Sequence, residues 1–310
     1  MHIVVMGSGG TGGYFGAKLA RAGEDVTFVA RGAHLQAIRA EGLRVRSTPD
    51  GEWTVKSRAV ETLDGEPPAD IVLFCVKSFD TEGAAVAIKP VIGPDTGVLS
   101  IQNGVDNEDK LDRILGAQHV LGGMAQVFAT LDGPGVIRHV ALGRIVFGEM
   151  DGRDTARARD FLAACQRAQI PCEISGHAVR TLWEKYVLLT AHAGMTALTR
   201  CPAGTLRRIP EARAMYRRLM EEMTALGRAS GITLADDYVE QSLRLLDGMA
   251  EHFYSSLHFD LTNGKRLELD ALHGHAVRLG ERYGIATPTL FAVYAALLPY
   301  RDGPPPPPGH

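Results

Sequence analysis

The chain has 310 residues, enough for two domains of ordinary size. Its 45% hydrophobic and 22% charged residues are the balance of a folded globular protein, and a formal charge of -3 lacks the basic excess of a nucleic-acid binder. Four scattered cysteines without a C-x-x-C pair exclude a small disulfide framework and fit a reducing cytoplasm.

The opening Met-His-Ile-Val-Val-Met-Gly has neither a positive n-region nor a cleavage site, so no secretory signal is expected. His2–Met6 reads as a strand, followed by a glycine-rich turn and a helix through Ala22. Val26–Ala30 is a second strand and Ala33–Glu41 a helix, with Leu43–Arg46 and Thr54–Val60 forming a small hairpin. Then come strand Asp70–Cys75, helix Thr81–Lys89, strand Gly97–Ile101, helix Asn107–Leu115 and strand Val120–Ala125. Uniformly apolar strands alternating with helices predict a parallel sheet covered on both faces. Val136–Val140 and Arg144–Gly148 are expected as added antiparallel strands, with helix Thr155–Ala168 and strand Cys172–Ser175 completing the domain. From His177 the pattern turns helical: Ala178–Leu198, Pro210–Ser230, Asp236–Met249, Lys265–Tyr283 and Pro288–Leu297. The expected organisation is thus α/β over residues 1–176, all-α over 177–300, and a disordered Pro-rich tail over 301–310. The longest nearly uncharged apolar stretch, Tyr186 to Thr199, is too short for a membrane span.

Gly7-Ser8-Gly9-Gly10-Thr11-Gly12 fits G-x-G-x-x-G in the context that motif needs, after an apolar strand and at the start of an amphipathic helix. Gly7 makes the tight turn, Gly9 lets backbone approach a pyrophosphate, and Gly12 allows close helix–strand packing. The helix N-terminus adds free N–H groups and partial positive charge. This reads as a Rossmann-type dinucleotide site, with a purely structural strand–helix turn without ligand as the plainer alternative. At the end of the second strand, Val29-Ala30-Arg31-Gly32 lacks the carboxylate that would bond a ribose 2′-hydroxyl. Arg31 offers a permanently charged planar fork suited to a 2′-phosphate, so NADPH is the expected cofactor.

Lys77 and Asn103 follow the strands ending at Val76 and Ile101, the carboxyl-end positions where ligands of such sheets bind; each is equally readable as surface or turn. Lys185, in Leu182-Trp183-Glu184-Lys185-Tyr186, stands where a long uncharged helix begins, a setting that favours a lowered lysine pKa. Only seven of the 33 basic residues are lysines. A snorkelling lysine at a helix end is the plainer alternative. No metal site is expected. His273 and His275 are two apart, on different faces of a helix, and His192 in its apolar run reads as a hydrogen-bonded core residue. Helices from Pro210 to Met249 carry mixed charges that suit either a homodimer surface or packing within one subunit.

Taken together these blocks resemble the ketopantoate reductase (2-dehydropantoate 2-reductase) family over nearly the whole chain. The matching residues are the glycine loop, Arg31, Val76-Lys77, Gln102-Asn103-Gly104, Leu182-Trp183-Glu184-Lys185 and Leu198-Thr199. Further on come Ser255-Ser256 with Asp260, Gly264-Lys265-Arg266 and Glu268-Leu269-Asp270. The resemblance implies a Rossmann domain and a helical domain with the active site between them, and NADPH-dependent reduction of a 2-oxo acid. It implies that Lys185 is the general acid, that Glu268 positions it and meets the nicotinamide ribose, and that Asn103 contacts cofactor and substrate. Ser256 would bind the substrate carboxylate and Asp260 would support local structure. Where family members that make pantoate carry asparagines four and eight residues after the lysine, this chain has Leu189 and Ala193, and a third asparagine is replaced by Ala203. Spacing of four keeps Leu189 and Ala193 on the Lys185 face. The reading therefore branches into a ketopantoate reductase, a reductase of a more apolar 2-oxo acid, and a non-catalytic NADPH-binding protein.

Overall fold

The computed structural model describes residues 1–305. The chain divides into two compact units, Met1–Gln102 with Asp106–Thr181, and Asn103–Val105 with Leu182 onward. The division falls inside a helix, between Thr181 and Leu182, rather than at Gly176.

The first unit is built on a ten-stranded sheet. Its elements run β1 (His2–Met6), α1 (Gly10–Arg21), β2 (Asp25–Val29), α2 (Gly32–Glu41), β3 (Leu43–Ser47), β4 (Gly51–Val55), β5 (Arg58–Val60), β6 (Ile71–Phe74) and α3 (Thr81–Ala87). There follow β7 (Gly97–Ser100), α4 (Asn107–Leu115), β8 (Val120–Leu131), β9 (Val136–Glu149), α5 (Ala156–Arg167) and β10 (Cys172–Ile174). The order across the sheet is β4-β3-β9-β8-β7-β6-β1-β2-β5, with β10 beside β9. From β8 to β5 every neighbour is parallel. The alternation of side chains along a strand divides the core in two. Ile3, Val5, Leu73 and Leu99 pack on one side with Phe15 and Leu19 of α1; Val4, Met6, Val72 and Val98 pack on the other with Ala84, Ile88 and Leu111.

Two expectations are corrected here. The arm expected over Thr54–Val60 is broken: β4 pairs back on β3, while β5 pairs parallel with β2. A local hairpin signal cannot reveal that non-local pairing. The two strands expected between Val136 and Gly148 are one, β9, antiparallel to a β8 that runs on to Leu131 with register shifts after Gln126 and Phe128. Gly143 in its middle resembles a turn, but it is tolerated at a bulge, where Leu142 takes a positive φ of 65°.

The second unit is helical among the described residues: most of α6 (Ala178–Thr199), then α7 (Ala203–Arg208), α8 (Pro210–Ala229), α9 (Tyr238–Asp247), α10 (Ser256–Thr262), α11 (His275–Tyr283) and α12 (Pro288–Leu297). The helix expected over Lys265–Tyr283 does not begin at Lys265. The Lys265 N–H closes α10 on the Asp260 carbonyl, and the Leu267 N–H goes to the Arg301 carbonyl. Asp270–Gly274 then forms a π turn that leads into α11, with the His275 N–H bonded to the Asp270 carbonyl. Of the expected disordered tail, Arg301–Gly303 instead forms turns on Leu298 and Tyr300. Residues 306–310 lie outside the described residues. No helix among the described residues is long and apolar enough to cross a membrane.

Candidate active site

In the first unit the chain leaves β1 at Met6 and enters α1 through the glycine loop. Gly7 has φ +98°, and a Cβ there would lie 2.8 Å from the Val76 nitrogen. A Cβ on Gly12 would fall on the Gly7 carbonyl, and one on Gly10 on the Ala129 carbonyl of β8. Gly9 differs: nothing lies within 4 Å of the space a Cβ would fill. It is the N-cap of α1, whose first turn has no acidic residue and no side-chain cap. Uncapped N–H groups, the positive end of the helix dipole and open space above Gly9 make a cradle for an anionic group such as a pyrophosphate. Thr11 is half-buried in that first turn. Ser8 is buried, and its hydroxyl donates to the Val29 carbonyl, so it fastens the loop to the end of β2.

Arg31 follows that end as the N-cap of α2, exposed and with no ion pair among the described residues. One turn on, His34 performs a task that sequence reasoning missed. Its Nδ1 accepts the Gly135 N–H at 2.9 Å, which leaves Nε2 to donate to the Ser8 carbonyl at 2.8 Å. The neutral tautomer thus ties α2 to the glycine loop, and burial holds its pKa below the ordinary histidine value.

Lys77 stands half-buried three residues beyond the end of β6, before a short 3₁₀ turn. The strand ends around it are held by Gln102, whose amide donates to the Val76 carbonyl and to Thr81 Oγ1, both at 2.9 Å. Beneath this network Glu108 is buried, and desolvation raises its pKa to about 7.

In the second unit, Lys185 on α6 donates from Nζ to Asn103 Oδ1 at 3.0 Å. Two residues singled out separately in the sequence, 82 positions apart, therefore share one hydrogen bond. Glu268 is 6% exposed and stands just before the π turn. Tyr186, next to Lys185 and fully buried, donates to the carbonyls of Ala271 (3.1 Å) and Leu272 (2.5 Å) in that turn. Its only signal in the sequence is a hydroxyl-bearing residue in an apolar run. Ser255 and Ser256 part company: Ser255 is buried, caps α10 and lies 2.8 Å from Thr196 Oγ1, whereas Ser256 is exposed in the first turn. Asp260 is buried in α10. Four and eight residues after Lys185 on α6, Leu189 is half-buried and Ala193 fully buried, so neither position offers a hydrogen-bonding side chain. His192 is a core residue as expected, its Nδ1 3.1 Å from the Tyr216 hydroxyl.

The family model "Ketopantoate reductase PanE/ApbA" matches residues 3–152, and its C-terminal counterpart matches residues 178–301. The chain is 31% identical over 302 residues to a Bacillus subtilis protein named uncharacterized oxidoreductase YkpB, covering 97% of this chain and 99% of that protein. It is 31% identical over 306 residues to a 2-dehydropantoate 2-reductase of Halobacterium salinarum, covering 98% of this chain and all of that one. Among solved structures, a PanE/ApbA family ketopantoate reductase from Ralstonia eutropha superposes with TM-score 0.89 at 37% identity, covering 97% of this chain and 98% of that one.

Proposed function

The chain belongs to the ketopantoate reductase family, and on that premise we propose that it reduces a 2-oxo acid to a 2-hydroxy acid with NADPH. The first substrate proposed is 2-dehydropantoate, giving pantoate for pantothenate and coenzyme A synthesis. The observation that carries this reading is the Lys185–Asn103 hydrogen bond. It holds an ammonium beside an amide, a pair suited to gripping and protonating a carbonyl oxygen.

The residues present suit the cofactor. The open space at Gly9 and the uncapped start of α1 accept a pyrophosphate, and Arg31 at the tip of β2 accepts a 2′-phosphate. Lys77 and Asn103 are assigned to the same cofactor. When bound, NADPH supplies hydride to the carbonyl carbon. Lys185 stabilises the negative charge growing on the oxygen and then gives it a proton, so the C=O group becomes CH–OH and Lys185 is left as a neutral amine that water reprotonates. Glu268 is assigned to position Lys185 and to meet the nicotinamide ribose, and Asn103 to keep the Lys185 Nζ in place. Ser256 is assigned to the substrate carboxylate. The free state of all four cysteines suits the reducing cytoplasm in which such a reductase is proposed to work.

A second reading changes only the substrate. Leu189 and Ala193 carry no polar group at the positions four and eight residues after Lys185, which favours a more apolar 2-oxo acid over one recognised through its hydroxyl. One experiment separates the readings: NADPH oxidation against a panel of 2-oxo acids that includes ketopantoate, with Lys185→Ala as control. Preference for ketopantoate, lost in the variant, supports the first reading. Preference for an apolar oxo acid, also lost in the variant, supports the second. NADPH binding without turnover of any panel member overturns both and leaves a dinucleotide-binding protein without reductase chemistry.

A further inference from the structure

The 2′-phosphate and the pyrophosphate of NADPH hang on one ribose, but the groups offered to them come from separate segments. The glycine loop is fixed in its place. The Ser8 hydroxyl donates to the Val29 carbonyl, and Gly10 lies directly against the Ala129 carbonyl of β8. The start of α2 has no such footing. Arg31, Gly32 and Ala33 are all exposed, and nothing lies within 4 Å of the space a Cβ on Gly32 would fill. α2 is anchored farther along, where Leu35 and Ile38 enter the core and Arg39 Nε donates to the Ala59 carbonyl at 2.9 Å.

His34 stands between these two regions, about 4.5 Å along the helix axis from Arg31. Its Nε2 bonds the Ser8 carbonyl in the glycine loop, and its Nδ1 takes the N–H of Gly135 in the turn between β8 and β9. Ser8 and Gly135 are both buried. Gly135 has φ +72°, and a Cβ there would lie 2.9 Å from the Ala37 Cβ, so this turn presses on α2 beyond the ring. A carbonyl only accepts and an N–H only donates, so the two partners admit one ring state, neutral with its proton on Nε2. We infer that, with Arg31 as the 2′-phosphate contact proposed above, His34 is a positioning residue for the choice of dinucleotide: it holds Arg31 at a fixed distance from the glycine loop, so that one NADPH engages both. Two contacts to one ligand reinforce each other only while their spacing is held. When the first turn of α2 drifts, NADPH forfeits part of the Arg31 contact. NADH has no 2′-phosphate and loses only what the loop itself loses.

Calorimetric titration of the full chain with NADPH and with NADH, in the absence of oxo acid, tests this. His34→Leu fills the space of the ring and removes both hydrogen bonds. It is expected to weaken NADPH about tenfold, a part of the roughly 10- to 100-fold that loss of a charge-assisted contact brings, and NADH at most about twofold. Arg31→Ala already lowers the preference for NADPH, and adding His34→Leu to it leaves the ratio of the two dissociation constants where it was. Nitrogen-15 shifts of the histidine rings, read on the wild-type chain at neutral pH, should show His34 with Nδ1 bare and Nε2 protonated. If Arg31→Ala leaves the ratio unchanged, this inference falls together with the assignment of Arg31 to the 2′-phosphate. If Arg31→Ala lowers the ratio while His34→Leu weakens both cofactors equally, or neither, the inference alone is overturned. A wild-type His34 that carries its proton on Nδ1 overturns it too, whether or not the variants fold.

Discussion

The Tyr186 hydroxyl reaches the carbonyl of Leu272, 86 positions away, at 2.5 Å, and so joins the residue beside Lys185 to the π turn that follows Glu268. A π turn inserts a residue into the helical ladder, and here a tyrosine from α6 serves the carbonyls at the insertion. Lys185 and Glu268 thereby belong to elements held in fixed register.

Tyr186→Phe removes one oxygen and keeps the ring. Buried carbonyls then lose a donor, which costs about 1–3 kcal/mol of stability and lowers the urea midpoint. If the hydroxyl also sets the position of Lys185, kcat falls with the KM for NADPH unchanged. In a Lys185→Ala background the same substitution then has little further effect on residual turnover, because groups that act as a unit are not additive. An equal fractional loss in both backgrounds would assign Tyr186 to stability alone.

Asn103→Ala takes away the acceptor 3.0 Å from Lys185 Nζ. Hydrogen bonds to charged groups contribute about 1.5–3 kcal/mol, so kcat/KM for the oxo acid is expected to fall about 10- to 100-fold. Asn103 belongs to a short loop, so the melting temperature should move little. Steady-state kinetics beside a thermal melt checks both halves.

The sequence showed most plainly what is local. The β1 run and Gly7–Gly12 are contiguous, and Gly12 answers a close contact inside that strand–turn–helix unit, whereas the contact that requires Gly10 comes from β8. Lys185 and Asn103 were visible one at a time; their bond depends on tertiary structure. The π turn was invisible because apolar periodicity runs through Leu269, Leu272 and Ala276 much as in an ordinary helix. The same limit hid His34, whose two partners, Ser8 and Gly135, come from separate loops. Ser255 and Ser256 were a motif in the sequence, but only packing shows that one is a buried cap and the other exposed.

Arg31 is expected to decide which dinucleotide the loop prefers. Its guanidinium has no ion pair among the described residues and no carboxylate beside it at the tip of β2. Arg31→Ala should raise the KM for NADPH about 10- to 100-fold, the range of one charge-assisted contact, and leave that for NADH nearly unchanged. Initial rates with the two cofactors measure the ratio. Equal losses with both would move the 2′-phosphate contact away from Arg31.

Glu108 gives the stability of the protein a dependence on pH that one substitution isolates. It is buried, and desolvation raises its pKa from 4.5 to about 7. A carboxyl whose folded pKa is raised binds its proton more tightly in the folded state. Its contribution is therefore fully present below pH 4.5 and is lost as pH rises to 7. His192 and His273 act in the opposite sense: burial lowers each from 6.5 to about 4, so their contribution is present above pH 6.5 and is lost as pH falls toward 4. Glu108→Gln keeps the shape and removes the charge. At pH 4 the variant should match the wild type, and at pH 8 it should be more stable by about 3 kcal/mol at most, since a tenfold change in proton affinity is worth about 1.4 kcal/mol. Urea unfolding at the two pH values measures the difference. A gap that does not widen between pH 4.5 and 7 would show that Glu108 stays ionised in the folded protein.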